Sequence, residues 1–125
     1  MSVKNELDEL FRSGKIELVS THGHLSVPII ERIYKKMTLN LKFGSIQVDK
    51  NVIIDGHHRY VASLLAKYSL ERVPGIKSQA KDTFDWTAVK LSDEDWDTAA
   101  KVKLLNEEDA RYNGMSLEEL LDKIK

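Results

Sequence analysis

The chain has 125 residues, 42% hydrophobic and 31% charged, with a formal net charge of −1, which describes one folded domain with a single modest core and not a disordered chain. Without cysteine it can build no disulfide framework, no zinc ribbon and no thiol catalysis. Residues 1–91 carry 14 Lys/Arg against 10 Asp/Glu (+4) and residues 92–125 carry 5 against 10 (−5), so no concentrated basic face exists and nucleic acid is not the expected partner.

No apolar run approaches the roughly 18 residues of a membrane helix, and the opening MSVKNELDEL lacks the features of a signal peptide. A cytoplasmic protein without a membrane contact is the expectation. Residues 3–12 read as a helix with Val3, Leu7, Leu10 and Phe11 on one face and Ser13-Gly14 as its stop. Lys15–Val19 alternates like a strand, and STHGHLS is polar and turn-like. Ser26 is placed to cap a helix whose Ile30, Ile33, Tyr34 and Met37 form the apolar face, with Pro28 tolerated in the first turn. Arg32, Lys35 and Lys36 then form its solvated side.

A hairpin follows, with Ile46 and Val48 on one arm, Asp49-Lys50-Asn51 as the turn and Val52-Ile53-Ile54 as a return arm buried on both sides. From His58 the period becomes helical through Val61, Leu64, Leu65 and Tyr68. Leu70–Lys77 suits an edge strand or loop, and Phe84–Leu91 alternates as the last strand. The acidic remainder reads as helical, with Ser92/Asp95, Asn106/Asp109 and Ser116/Glu119 at capping spacing. Trp96, Ala99, Ala100 and Leu104 form the expected apolar side of its first helix, and Leu117, Leu120, Leu121 and Ile124 that of its last.

The chemistry concentrates in VIIDGHHRY, Val52 to Tyr60. A glycine between strand and helix lets the backbone turn sharply and approach a ligand. The next amides are unpaired donors at the positive end of a helix, a setting that favours an anion. Arg59 adds a planar fork for phosphate oxygens. Asp55 is suited to hold Mg²⁺, to orient a histidine or to take a proton. Against this stand two other readings: histidines tolerated in exposed loops, or a zinc or nickel site built from His22, His24, His57 and His58. Trp86 and Trp96 suit base stacking or plain packing, and Lys35, Lys36 and Lys42 suit polyanion attraction or a solvated face.

The stretch IIDGHHRYVA is similar to the central motif of the ParB/sulfiredoxin-like superfamily, where a Gly-x-x-Arg segment at a helix N-terminus binds nucleotide phosphates. Within that superfamily, DGHHR looks most like the free serine kinases and related ParB-like proteins. The resemblance covers roughly residues 15–77. It implies phosphate binding by Gly56, His58 and Arg59, and a kinase-like aspartate at Asp55. His57 stands where sulfiredoxins carry their reactive cysteine, so sulfinic acid reduction is excluded. The serine kinases place a catalytic glutamate in the first loop, where this chain has Gly23 within His22-Gly23-His24-Leu25. His24 substitutes, or Glu17 or Glu31 reaches in, or the base is missing.

The expected fold is therefore α/β (mixed α+β), a ParB/sulfiredoxin-like core over 15–91 with an N-terminal helix and an acidic helical extension over 92–125, in one domain of 1–125. The expected function is binding of ATP, ADP or CTP with Mg²⁺, and hydrolysis or transfer of a phosphoryl group. Asp55, His57 and His24 are the candidate catalytic residues and Asp55 the metal ligand; Gly56, His57, His58, Arg59 and His22 are the phosphate contacts. The alternatives are a non-catalytic regulator or immunity-type module docking a partner through acidic helices around Glu107–Asp109 and Glu118–Asp122, and a ParB-like nuclease.

Overall fold

A computed structural model describes residues 2–76 and 82–125. Helix α1 (Val3–Arg12) starts where the Ser2 hydroxyl accepts the Asn5 N–H at 3.2 Å, and it buries Leu7 and Phe11. Strand β1 (His24–Ser26) leads directly into α2 (Val27–Thr38). The hairpin is β2 (Ile46–Asp49) and β3 (Val52–Asp55), antiparallel and closed by Lys50 in the left-handed region, with φ 57°. Val52 and Ile53 are buried and Ile54 is half-buried. Helix α3 (His57–Ala66) follows, and β4 (Arg72–Pro74) returns parallel to β2, giving the order β3-β2-β4. As expected of an edge, β4 is exposed throughout; Lys77, the last residue of that predicted segment, lies outside the described residues.

The core gathers apolar residues of α1, α2 and α3, of the hairpin and of the segments around Leu25 and Trp86. Leu7, Leu18, Leu25, Ile30, Ile46, Ile53 and Val61 have almost no exposed surface, and α3 packs along α2. The mixed α+β class is as expected. No helix among the described residues is long and apolar enough to cross a membrane.

Two predicted strands need correction. Lys15–Val19 forms no strand; Val19 and Ser20 make only single bridges, to Val52 and Phe84. The reason is local. Leu18 N–H donates to the Tyr60 hydroxyl at 3.2 Å, and its carbonyl accepts from Trp86 Nε1 at 2.8 Å. Side chains take the backbone groups that a ladder would have used. Trp86 is thereby a packing residue, 5.0 Å from the Phe11 ring between centroids. Phe84–Leu91 is the second correction. Asp85 accepts from the Thr87 N–H at 2.9 Å and starts a 3-10 turn at Trp86–Ala88. Besides the single bridge at Phe84, the segment contributes only β5 (Lys90–Ser92), parallel to β1.

The C-terminal segment forms α4 (Ala99–Tyr112) and α5 (Leu117–Lys123). Ser116 and Glu119 make the capping box their spacing predicts. Asn106 caps nothing, because Thr98 accepts from the Lys101 N–H and starts α4 eight residues earlier. Ser92 accepts from the Glu94 N–H in a turn, with no helix following it directly. The predicted apolar side of α4 is also wrong: Ala99, Ala100 and Leu104 are exposed, Trp96 precedes the helix, and Val102, Leu105, Asn106 and Ala110 face inward. A second small cluster of Leu41, Ala110 and Leu120 joins the main core through Phe43.

Lys36 corrects the predicted polar side of α2. Its side chain is only 7% exposed, and its Nζ lies 2.6 Å from Asp109 Oδ2 on α4. Beside it Arg32 bonds Asp95 and Asp97. Arg32 and Lys36 are thus turned towards the acidic segment, while Lys35 is exposed as expected.

Candidate functional site

Strand β3 hands over to α3 at Gly56, whose φ of 97° and ψ of 31° lie in the left-handed region. A side chain there would put its Cβ 2.6 Å from Ile46 Cγ2. The turn brings the first amides of α3, those of His57, His58 and Arg59, to a helix end with no intrahelical acceptor. The segment lines a cleft of about 680 Å³. Its floor is the DGHHR segment, its near wall Ile29, Arg32, Ile33 and Lys36 of α2, and its far wall α4. The acidic extension therefore forms one side of the site.

The two histidines of the motif hold the first loop in place. Thr21 N–H donates to His57 Nε2 at 3.0 Å, and the Thr21 hydroxyl donates to the Ile53 carbonyl at 2.8 Å. Ser26 N–H donates to His58 Nε2 at 3.0 Å. Each Nε2 acts as an acceptor, which places the ring proton on Nδ1 in both. His57 Nδ1 is buried without a partner among the described residues. The Ser26 hydroxyl does not cap α2; it donates to the Glu94 carbonyl at 2.8 Å and ties β1 to the segment before α4.

Burial, aided by His22 and His58, holds His57 down at about 3, and burial with His22 holds His58 down at about 4, against an ordinary value of 6.5. Both rings are neutral at pH 7, so at the cleft floor they are dipoles and not cations. The consequence for stability has a definite sign. Below about pH 6.5 the unfolded chain binds protons that the folded rings refuse, so stability is lost as pH falls from 6.5 towards 4. The loss is at most about 1.4 kcal/mol per pH unit for each ring. Urea unfolding at pH 7 and pH 5 should show a drop in wild type that is clearly smaller in the His57→Gln/His58→Gln variant. Equal drops would mean that neither ring titrates differently on folding.

Arg59 is half-buried and anchored. Its Nη1 donates to the carbonyls of Gly44 and Ser45 at 3.1 and 3.0 Å, and Nη2 lies 3.4 Å from Asp55 Oδ2. Nε has no acceptor among the described residues. Asp55 stands at the rim with a side chain 67% exposed. A rim carboxylate is the donor type that Mg²⁺ uses alongside nucleotide phosphates, so Asp55 fits that ion. The histidines fit a metal less well. His22 and His57 stack with centroids 3.8 Å apart and planes 12° apart. Their in-plane lone pairs therefore lie in parallel sheets and do not converge. No cluster of three or more His, Cys, Asp or Glu suited to an ion occurs among the described residues.

Six of the seven predicted site residues line the cleft: His22, Asp55, Gly56, His57, His58 and Arg59. His24 does not. It is exposed on β1, with Lys90 as its register partner on β5. Trp96 lies edge-on to the His58 ring at 5.5 Å, itself 46% exposed. The sequence reading missed the α4 wall, where Lys101, Val102, Leu105, Asn106 and Asp109 face the cleft. Their one signal is spacing: 102, 105, 106 and 109 fall on one side of a helix. Lys42 and Lys101 also line the cleft, and neither ammonium has an ion-pair partner among the described residues.

Comparison of the chain with protein-family models, with curated protein sequences and with solved structures returns no match.

Proposed function

We propose that this protein binds a nucleotide, with its phosphates on the first amides of α3, and that with Mg²⁺ it hydrolyses the nucleotide or transfers its terminal phosphoryl group. The observation that carries this reading is the Gly56 turn, which sets the N-terminus of α3, with three amides that have no partner among the described residues, at the lining of a cleft of about 680 Å³. Lys42 and Lys101, without an ion-pair partner among the described residues, supply positive charge on its walls. In hydrolysis, a water oxygen bonds the γ-phosphorus as the bridging P–O bond breaks. The diphosphate leaves, and the water proton passes to Asp55 or to solvent. His57 and His58 serve as positioning residues, since their Nε2 atoms hold the 21–26 loop against the floor.

Calorimetric titration of ATP, ADP and CTP with Mg²⁺ tests this. Micromolar binding is expected for wild type, weakened roughly tenfold in Lys42→Ala and in Lys101→Ala. Arg59→Ala should abolish it, but that change also frees the Gly44 and Ser45 carbonyls. The lysine variants isolate the electrostatic contribution. No binding of any of the three nucleotides to wild type would overturn the reading.

One observation favours a rival. Arg59 and both histidines are each engaged in bracing the fold, so the motif has a structural use that needs no ligand. On that reading the protein is an interaction module, and exposed Leu104 and Leu121 on the acidic helices belong to its contact face. Substituting both by serine would then weaken partner capture while leaving nucleotide titrations unchanged.

A further inference from the structure

Asn106 sits in the middle of α4, 8% exposed, and its carboxamide bonds no protein group among the described residues. It lines the cleft together with Val102 and Leu105 of its own helix and Ile29 and Ile33 of α2. The amide is not sealed off, since the buried side-chain atom without a partner among the described residues is His57 Nδ1; the unbonded carboxamide of Asn106 therefore keeps access to solvent on the cleft wall. Its neighbours at the same face, Lys36 and Asp109, answer each other. Asn106 presents a donor and an acceptor that no protein group among the described residues occupies.

We infer that Asn106 is a specificity residue that reads the hydrogen-bonding edge of a planar nitrogen heterocycle held between the aliphatic walls of α2 and α4. The inference rests on the reading of the cleft as a nucleotide site and names what the cleft recognises beyond phosphate. A carboxamide offers one N–H donor and one oxygen acceptor side by side, matching the adjacent acceptor and donor on a nucleobase edge. The ligand body would lie flat against Ile29, Ile33, Val102 and Leu105 while its phosphates reach the start of α3. A site built to bond such an edge rejects analogues lacking it far more strongly than an apolar slot does.

The experiment is a calorimetric comparison of wild type with Asn106→Leu, using Mg²⁺-ATP and Mg²⁺-tripolyphosphate as probes. Leucine keeps the helix and the volume but removes both polar atoms. Nucleotide affinity is expected to fall roughly tenfold or more, towards that of tripolyphosphate, whose own affinity stays the same. The variant should melt close to wild type, because the amide makes no bond within the described residues that leucine would lose and leucine is a good helix former. A lower melting temperature with equal losses for both probes would make Asn106 a structural residue and overturn the inference. Unchanged ATP affinity would also overturn it, while leaving the phosphate site standing. If neither probe bound wild type, the nucleotide reading itself would fall.

Discussion

Gly56→Val should leave the protein largely unfolded at 25 °C, and Gly56→Ala should cost about 2–5 kcal/mol. Two independent penalties meet at this position. At φ 97° any L side chain is strained, by about 1–2 kcal/mol. The new Cβ would also stand 2.6 Å from Ile46 Cγ2, 3.1 Å from Ile46 Cβ and 3.0 Å from Arg59 Nη2. Ile46 is 0% exposed at the start of β2, so it has nowhere to move, and overpacking of this kind costs about 1–3 kcal/mol. Gly14 is the internal control. Its φ is 71° but nothing lies within 4 Å of a Cβ there, so Gly14→Ala should show the backbone penalty alone. Urea unfolding followed by circular dichroism reads both. Equal shifts for Gly56→Ala and Gly14→Ala would show that the hairpin and α3 are not packed as described. Since the same turn sets the start of α3, the proposed nucleotide site would also be weakened in any folded Gly56 variant.

The parts legible in the sequence are those decided by neighbouring residues. Helix α1, the β2–β3 hairpin, the Gly56 break and the Ser116 box all follow from residues within a few positions of one another. The failures share a cause. Lys15–Val19 alternates correctly for a strand, yet the phenol of Tyr60 and the indole of Trp86 claim the Leu18 backbone from 42 and 68 residues away. Phe84–Leu91 also alternates, but one Asx-type bond from Asp85 converts its middle to a 3-10 turn. On α2 the hydrophobic pattern marked the apolar stripe but assigned Arg32, Lys35 and Lys36 to solvent, and on α4 it marked the wrong side. Lys36 and Asp109 are charged and yet face each other, 73 residues apart. The floor of the site was readable because DGHHR is contiguous; the α4 wall was not, because a buried lysine, asparagine or aspartate carries no local sign that a partner or a ligand awaits it.

That buried pair gives the second large effect. Asp109→Ala should destabilise the protein by about 2–4 kcal/mol, whereas Lys36→Met should cost about 1 kcal/mol or less. The asymmetry follows from exposure. Removing the carboxylate strands an ammonium that is 7% exposed, whereas removing the ammonium leaves a carboxylate that is 26% exposed and can still reach water. Methionine also keeps most of the aliphatic stem that Lys36 packs along α2. The double variant Lys36→Met/Asp109→Ala should therefore be more stable than Asp109→Ala alone, because the stranded charge has gone. Urea midpoints at pH 7 for the four proteins close the cycle. If the two single losses were equal and simply added, the 2.6 Å contact would contribute nothing specific, and α4 would be held by the Leu41–Ala110–Leu120 cluster, the Lys42–Asn113 hydrogen bonds and the Arg32–Asp97 pair. With the predicted asymmetry, the pair acts as a clasp that keeps α4, and with it Asn106, in position as the far wall of the cleft.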